Sequence, residues 1–254
     1  MPQNRAAFIV SPRKTPLDIR DAPYPSVGEK EVIIRNRAVA INHIDWKIQD
    51  YEFVPFRYPG VLGHEGAGEV VEVGTNCIQI RVGDRVLAEG TSIGLQKDAY
   101  GSFQLYTAVP EYLVSPIPDS MSFEQAAVVP LGIATSIMGF YANDTLELKY
   151  PSFDPEPTGQ VLAVWGGASA CGSHAIQLAY HAGYEVIATA SKHNFDYVRK
   201  LGASSVLDYN QASIVEDLVA ALKGKTLVGA FDAVAVPAST AALARAVMQS
   251  QGKH

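Results

Sequence analysis

The stretch that most constrains this chain is Val161–Gly172, VLAVWGGASACG. Val161–Trp165 is an unbroken apolar run, the pattern of a strand buried on both faces. Gly166 and Gly167 follow at once. Ala168–Tyr180 then has helical spacing, with Ala175, Leu178 and Ala179 on one face and Ile176 beside them. Gly183 stops that helix, and a second apolar run, Glu185–Ala190, begins. Strand, glycine turn, helix, strand is the unit that binds dinucleotides. Bare glycines let backbone N–H groups approach a pyrophosphate, and the helix N-terminus adds partial positive charge there. The spacing Gly166, Gly167, Gly172 is not G-x-G-x-x-G, so the flanking strand and helix carry the reading more than the glycines do.

The same alternation continues to the end of the chain. Strands are expected at Val161–Trp165, Glu185–Ala190, Ser205–Leu207 and Phe231–Val236, and helices near 170–182, 194–201, 213–222 and 239–249. Gly202 and Gly224 stand where helix C-caps belong. Such alternation predicts a parallel sheet with right-handed crossovers. A doubly wound sheet of this class has six strands in the order 3-2-1-4-5-6. Four of them are expected here, with Phe231–Val236 beside the first and the sheet incomplete at the C-terminus.

Residues 1 to about 120 read as short strands broken by Pro and Gly: EVIIRNR with Val32 and Ile34 on one face, GEVVEVG around Val70, Val71 and Val73, VGDRV around Val82 and Val86, and Phe103–Val114. Ser122 and Gln125 match a capping box at a helix start. The following AAVVPLGIATSIMGFY predicts two helices broken at Pro130. Residues 150–159, with three prolines and a glycine, predict a loop. The 254 residues are 48% hydrophobic, enough for a sizeable core, and the net charge of −6 without a basic run argues against nucleic acid or an anionic membrane as partner. Cys77 and Cys171 are far apart and imply no disulfide framework. MPQNRAAFIV lacks the apolar core of a signal peptide, and no stretch reads as reaching membrane-span length. A cytoplasmic protein is expected.

Several motifs together resemble the medium-chain dehydrogenase/reductase superfamily: Gly63-His64-Glu65-Gly66-Ala67-Gly68, Val82-Gly83-Asp84-Arg85-Val86, and Ala126-Ala127 in SFEQAAVVP. Leu207-Asp208-Tyr209-Asn210 is similar to a segment of its quinone and enoyl reductase branches. Asp45-Trp46-Lys47 and Ser191–Asp196 resemble fungal trans-acting enoyl reductases that serve polyketide synthases. Many of those carry a GCDFAG-type segment where this chain has GHEGAG, so a polyketide synthase partner follows from the resemblance alone. The resemblance covers the whole chain. It implies an α/β architecture, a β-rich GroES-like domain over 1–125 and an NADP-binding Rossmann-like domain over 126–254. The family commonly dimerises through its sixth strand, a contact expected to be absent here, so a homo-oligomer is expected instead through the exposed edge of Phe231–Val236.

The zinc-dependent branch places a Cys where this chain has Asn42, and its later cysteine ligand is absent too, since no Cys occurs from 78 to 170. A neutral amide is a poor substitute for thiolate, so no metal is expected and His64-Glu65 read as a structural pair. A NAD-specific unit ends its second strand in Asp or Glu. Here the strand ends Ala188-Thr189-Ala190-Ser191-Lys192, in which Ser191 can donate to a 2′-phosphate and Lys192 can neutralise it. The family resemblance adds His193, Asn194 and Tyr209 at that phosphate. NADPH is therefore the expected cofactor, with Gly166, Gly167, Ala168, Ser169, Ala170 and Cys171 forming its loop, and Lys47 and Thr135 touching it.

Hydride transfer to an activated C=C bond or a quinone builds charge on a substrate oxygen, which aimed donors stabilise. Asn42, Asp45, Lys47 and Tyr51 are the catalytic candidates: an amide donor, a loop-fixing acid, a cation and a phenol. The run Leu131, Gly132, Ile133, Ala134, Thr135, Ser136, Ile137 and Met138 is the candidate lining for a small hydrophobic substrate. His174 and His181 suit packing or surface roles, and Cys171 a small filler. The competing functions are a zinc-dependent alcohol dehydrogenase of the same fold and a non-catalytic NADPH-binding protein.

Overall fold

The computed structural model describes residues 2–90, 94 and 97–251. It divides into two compact units, Met1–Leu131 and Gly132–His254. In the first, strands β1 (Asn4–Ile9), β2 (Asp18–Ala22) and β4 (Gly60–Val61) form an antiparallel sheet in the order β2-β1-β4. Strands β3 (Glu31–Val39), β5 (Glu65–Val73), β6 (Arg85–Glu89), β7 (Tyr106–Pro110) and β8 (Val114–Pro116) form a second, in the order β7-β3-β5-β6-β8. β3 is buried on both faces at its start, not on one: Val32 and Ile34 pack with Val70, Val86 and Val109, while Ile33 packs with Tyr100 and Ala108.

One element in this unit breaks the all-strand expectation. Helix α1 (His43–Tyr51) begins at the Asn42 N-cap, whose N–H donates to Asp45 Oδ2 at 2.8 Å. An Asn followed three residues later by Asp starts a helix as a Ser/Gln pair does, and Ile48, fully buried, anchors it in a core with Ile9 and Leu62.

Helices α2 (Phe123–Ala126) and α3 (Pro130–Tyr141) follow. Ser122 Oγ accepts from the Gln125 N–H and the Ser122 N–H donates to Gln125 Oε1, the expected capping box. Pro130 is the first residue of α3, where its missing N–H has no partner to lose. Contrary to the sequence expectation, Phe123–Tyr141 is long and apolar enough to cross a membrane by length and composition, at mean hydropathy 1.3. The break at residues 127–129 and Glu124 in the first turn interrupt it.

The second unit carries a parallel sheet in the order β11-β10-β9-β12, built from β9 (Gln160–Trp165), β10 (Glu185–Ala190), β11 (Ser205–Asp208) and β12 (Thr226–Asp232). Helices α4 (Ala170–His181), α5 (Phe195–Lys200), α6 (Ile214–Leu222) and α7 (Pro237–Ser250) connect and cover these strands. β9 is buried on both faces, as its apolar run predicts. Leu162 and Val164 pack with Ala175, Ile176 and Ala179 of α4, and Val161 and Ala163 with Leu218 and Leu222 of α6 and Leu243 and Ala246 of α7. Burial of each such large side chain contributes roughly 1.5–3 kcal/mol. Gly202 and Gly224 take positive φ just past α5 and α6.

The fourth strand lies where the order predicts, beside β9, but on different residues. It spans Thr226–Asp232 rather than Phe231–Val236. Gly229 interrupts the apolar run with a register shift, which hides the strand in sequence. Val234–Val236 looks like a strand but leaves the sheet, because Asp232 Oδ1 accepts the N–H groups of Val234 and Ala235, and Ala235 turns to φ 52°.

Candidate functional site

The carboxyl ends of the parallel strands open into a cleft of about 640 Å³ in the second unit, lined among others by Trp165, Gly166, Ala168, Ser169, Ser191, Asn194, Tyr209, Val234 and Val236. Six residues assigned to the cofactor from sequence meet there: Gly166, Ala168, Ser169, Ser191, Asn194 and Tyr209. The loop that shapes it is heavily bonded. Thr189 Oγ1, fully buried at the end of β10, accepts the Gly166 N–H at 3.1 Å, and the Thr189 carbonyl accepts the Gly167 N–H. Ser169 caps α4, its Oγ donating to the Gly166 carbonyl and accepting the Gly172 N–H. The N–H groups of Ala168 and Ala170 meet no protein acceptor among the described residues. Open donors at the N-terminus of a 12-residue helix, beside a cleft, fit a pyrophosphate.

The three glycines do different work from that read in the sequence. Gly166 sits at φ 80°, a conformation that side chains rarely adopt. Gly167 faces inward: a side chain there would meet Ile176, Val198 and Ala188, so its bareness serves the core beneath the loop. Gly172 lets α4 approach the loop, since a Cβ would come 2.2 Å from the Gly166 carbonyl oxygen.

At the end of β10, Lys192, His193 and Asn194 form one 3-10 turn after Ser191. Ser191 Oγ accepts from Asn194 Nδ2 at 3.2 Å and lies 3.4 Å from His193 Nε2. Lys192 is exposed. Asp208 ends the neighbouring strand, its carboxyl held below the usual range by the Asn210 N–H and Gln211, with the Lys192 charge adding to the effect. Tyr209 stacks on Trp165 with ring centroids 6.4 Å apart. Trp165, Thr189, Val234 and Ser239 were not recognised in the sequence. A polar Thr inside the buried run EVIATA was the one available signal, since a fully buried hydroxyl needs a partner.

The charged candidates of the first unit bind one another. Asp45, 4% exposed, accepts His64 Nδ1–H at 2.8 Å and the Gly63 N–H on one oxygen, and the Asn42 N–H on the other. It therefore fixes the start of α1, with both oxygens engaged. The Asn42 amide donates to Glu65 Oε1 at 2.7 Å, so one of its two hydrogens is committed, and Glu65 Oε2 accepts the Leu131 N–H. His64 Nε2 is buried without a partner among the described residues. Burial pushes the nearby Glu89 carboxyl up; His64 opposes that shift and Glu65 adds to it. Lys47 and Tyr51 remain at the surface of α1: the Lys47 Nζ lies 5.9 Å from the Trp46 ring centre, and Tyr51, 64% exposed, packs edge-on against Trp46.

The run Leu131–Met138 cannot line one pocket, because α3 turns successive residues to different sides. Ser136 is fully buried and donates to the carbonyls of Gly132 and Cys171, whereas Ile137 and Met138 are exposed. Ile133 lines a separate groove of about 340 Å³ with Phe153, His174, Leu178 and His181. His174 Nδ1 donates to the Ala170 carbonyl at 2.8 Å.

Residues 28–119 match the family described as Alcohol dehydrogenase GroES-like domain, and residues 170–253 the family described as Zinc-binding dehydrogenase. Dehydrogenase pigH of Monascus ruber is 47% identical over 236 residues, covering 91% of this chain and 64% of that protein. Trans-enoyl reductase himH of Aspergillus japonicus is 39% identical over 220 residues, covering 87% and 64%. Among solved structures, an alcohol dehydrogenase superfamily protein from Novosphingobium aromaticivorans superposes with TM-score 0.78 at 29% identity, covering 94% of this chain and 69% of that one. A mycobacterial protein, Rv1454c, complexed with NADPH superposes with TM-score 0.65 at 25% identity, covering 86% and 62%. The chain belongs to the medium-chain dehydrogenase/reductase superfamily. It spans about two thirds of the length of the curated relatives it matches.

The family description names zinc, and the residues here do not fit it. Catalytic zinc takes three protein ligands. Cys77 and Cys171 lie elsewhere, Glu65 has both oxygens engaged, and His64 keeps a single lone pair. Among the described residues, no three His, Cys, Asp or Glu side chains form a group that could hold a metal ion.

Proposed function

We propose that this chain is part of a zinc-independent, NADPH-dependent reductase of an activated C=C bond or a quinone, acting on a small apolar substrate. The observation that carries the reading is the cleft of the second unit, where open backbone donors meet a strand end bearing Ser191 and Lys192 instead of an acid. An acid at that position would hold a ribose 2′-OH and repel a 2′-phosphate. The fungal relative named trans-enoyl reductase and the neighbour solved with NADPH support it.

When bound, the cofactor supplies the hydride. The Ala168 and Ala170 N–H groups and the start of α4 hold its pyrophosphate. Ser191 and Lys192, with His193, Asn194 and Tyr209 beside them, hold the 2′-phosphate. Gly166 keeps the turn open, and Thr189 keeps Gly166 in place. In the first unit, Lys47 carries a cation and Tyr51 a phenolic proton, the kinds of group that stabilise a developing oxyanion. The two cysteines, Cys77 and Cys171, far apart in the chain, suit a reducing, cytoplasmic compartment.

The test is a steady-state assay with NADPH and NADH against a panel of enones and quinones, with zinc measured on the same preparation. NADPH-dependent turnover without stoichiometric zinc is the expected result. One zinc per chain would favour the alcohol dehydrogenase reading, and NADPH binding without turnover of any member of the panel the non-catalytic one.

A further inference from the structure

The wall of the cleft beside the glycine turn is a loop, residues 233–236, that leaves the parallel sheet after the Ala233 N–H donates to the Trp165 carbonyl. Its far end is tied to α7 by the Val236 N–H on Ser239 Oγ, and one carboxylate holds the stretch between. Asp232 ends β12 opposite Trp165 in the sheet register. Its Oδ1 accepts the N–H groups of Val234 and Ala235, both at 3.0 Å, and its Oδ2 accepts the hydroxyls of Ser239 at 2.7 Å and Thr240 at 2.8 Å. Both oxygens are therefore spent on the loop and on the first turn of α7. The loop that results puts Val234 directly against the glycine turn: a Cβ on Gly166 would come 2.6 Å from Val234 Cγ2. Val234, Val236 and Ser239 all line the cleft, and Asp232 itself does not. Ala235 is held at φ 52°, a conformation a non-glycine residue keeps only where its surroundings impose it.

We propose that Asp232 is a positioning residue for the nucleotide cleft: through the loop 233–236 it seats Val234 against Gly166 and so sets the cleft's width and its affinity for the cofactor. This rests on the reading of the cleft as an NADPH site. Loss of the carboxylate frees two backbone N–H groups and two hydroxyls, the loop relaxes away from Gly166, and the cleft no longer matches the nucleotide. Asp232 touches no ligand, so its effect falls on affinity.

The experiment titrates NADPH into the parent chain and into Asp232→Asn, Thr240→Val, Thr240→Ser and Val234→Ala, following nucleotide fluorescence, with melting curves for each. Binding by the parent, a roughly tenfold loss in Asp232→Asn and in Val234→Ala, a smaller loss in Thr240→Val and recovery in Thr240→Ser are expected, the scale of a charge-assisted hydrogen bond. The melting curves place every titration below the transition, so a variant that is merely less stable still binds like the parent when folded. Parent-like affinity in folded Asp232→Asn and Val234→Ala overturns the positioning role while leaving the site in place. Absence of binding by the parent overturns the site itself, and the positioning role with it.

Discussion

Asp45 in the first unit and Asp232 in the second are both carboxylates with each oxygen occupied, and they do opposite things. Asp45 faces inward onto His64, Gly63 and Asn42, and with Glu65 it closes a cluster of charged groups away from water. Asp232 faces a loop, and its four hydrogen bonds hold one side of a cleft open. The residues that look most chemical in the sequence, Asn42, Asp45, His64 and Glu65, are those most engaged with one another. The residues that leave binding capacity unspent are small: Ala168, Ala170 and Ser191. A polar side chain signals a site only when something remains for it to bond.

The strongest way to break this contrast is Asp45→Ala. It strands a buried imidazole and two backbone N–H groups, each unsatisfied polar group costing roughly 1–3 kcal/mol. Chemical denaturation should show that loss while the folded chain still binds NADPH. A loss below about 1 kcal/mol would mean that the stranded groups find new partners and the cluster is not closed. Next in size is Gly172→Ala, whose added methyl would press on the Gly166 carbonyl. Calorimetry should find NADPH binding gone and stability lowered by roughly 1–3 kcal/mol; undiminished affinity would show that α4 can retreat from the turn without harm to the cleft.

Lys192→Ala sharpens the comparison at the open end of the cleft. NADPH affinity should fall by roughly tenfold or more, the equivalent of a charge-assisted contact of about 1.5–3 kcal/mol, with NADH little changed. Equal losses for both cofactors would take the 2′-phosphate away from Lys192. The smallest effect expected is a gain. Ala235→Gly relieves a left-handed alanine and should raise the melting point of the second unit by the equivalent of about 0.5–1 kcal/mol. A lower melting point would show that the loop loses more by the glycine's freedom than the alanine loses by strain.

The parallel sheet is legible because Val161–Trp165 of β9 is an unbroken apolar run with a glycine turn at its end, and a strand buried on both faces leaves that mark. β12 was misplaced by five residues at its start, because Gly229 splits its run and Asp232 draws Val234 and Ala235 out of the ladder. α1 was missed because an Asn42–Asp45 start lies among strand-like neighbours, and its anchoring residue, Ile48, shows only in the packing. The direction of a missing side chain is also invisible in sequence: Gly166 and Gly167 are adjacent, yet one bounds the cleft and the other the core. The closure of Asn42, Asp45, His64 and Glu65 on one another joins residues 18 to 23 positions apart, which no local pattern records.

The cleft can be tested most directly through its own tryptophan. The chain has two, Trp46 on α1 and Trp165 in the cleft wall. In Trp46→Phe only Trp165 remains, and its emission overlaps the absorption of reduced nicotinamide. Titration with NADPH should quench that emission saturably, and NADH at the same concentrations should quench it far less. No saturable quenching by NADPH, or equal quenching by the two cofactors, would contradict the assignment of this cleft as an NADPH site.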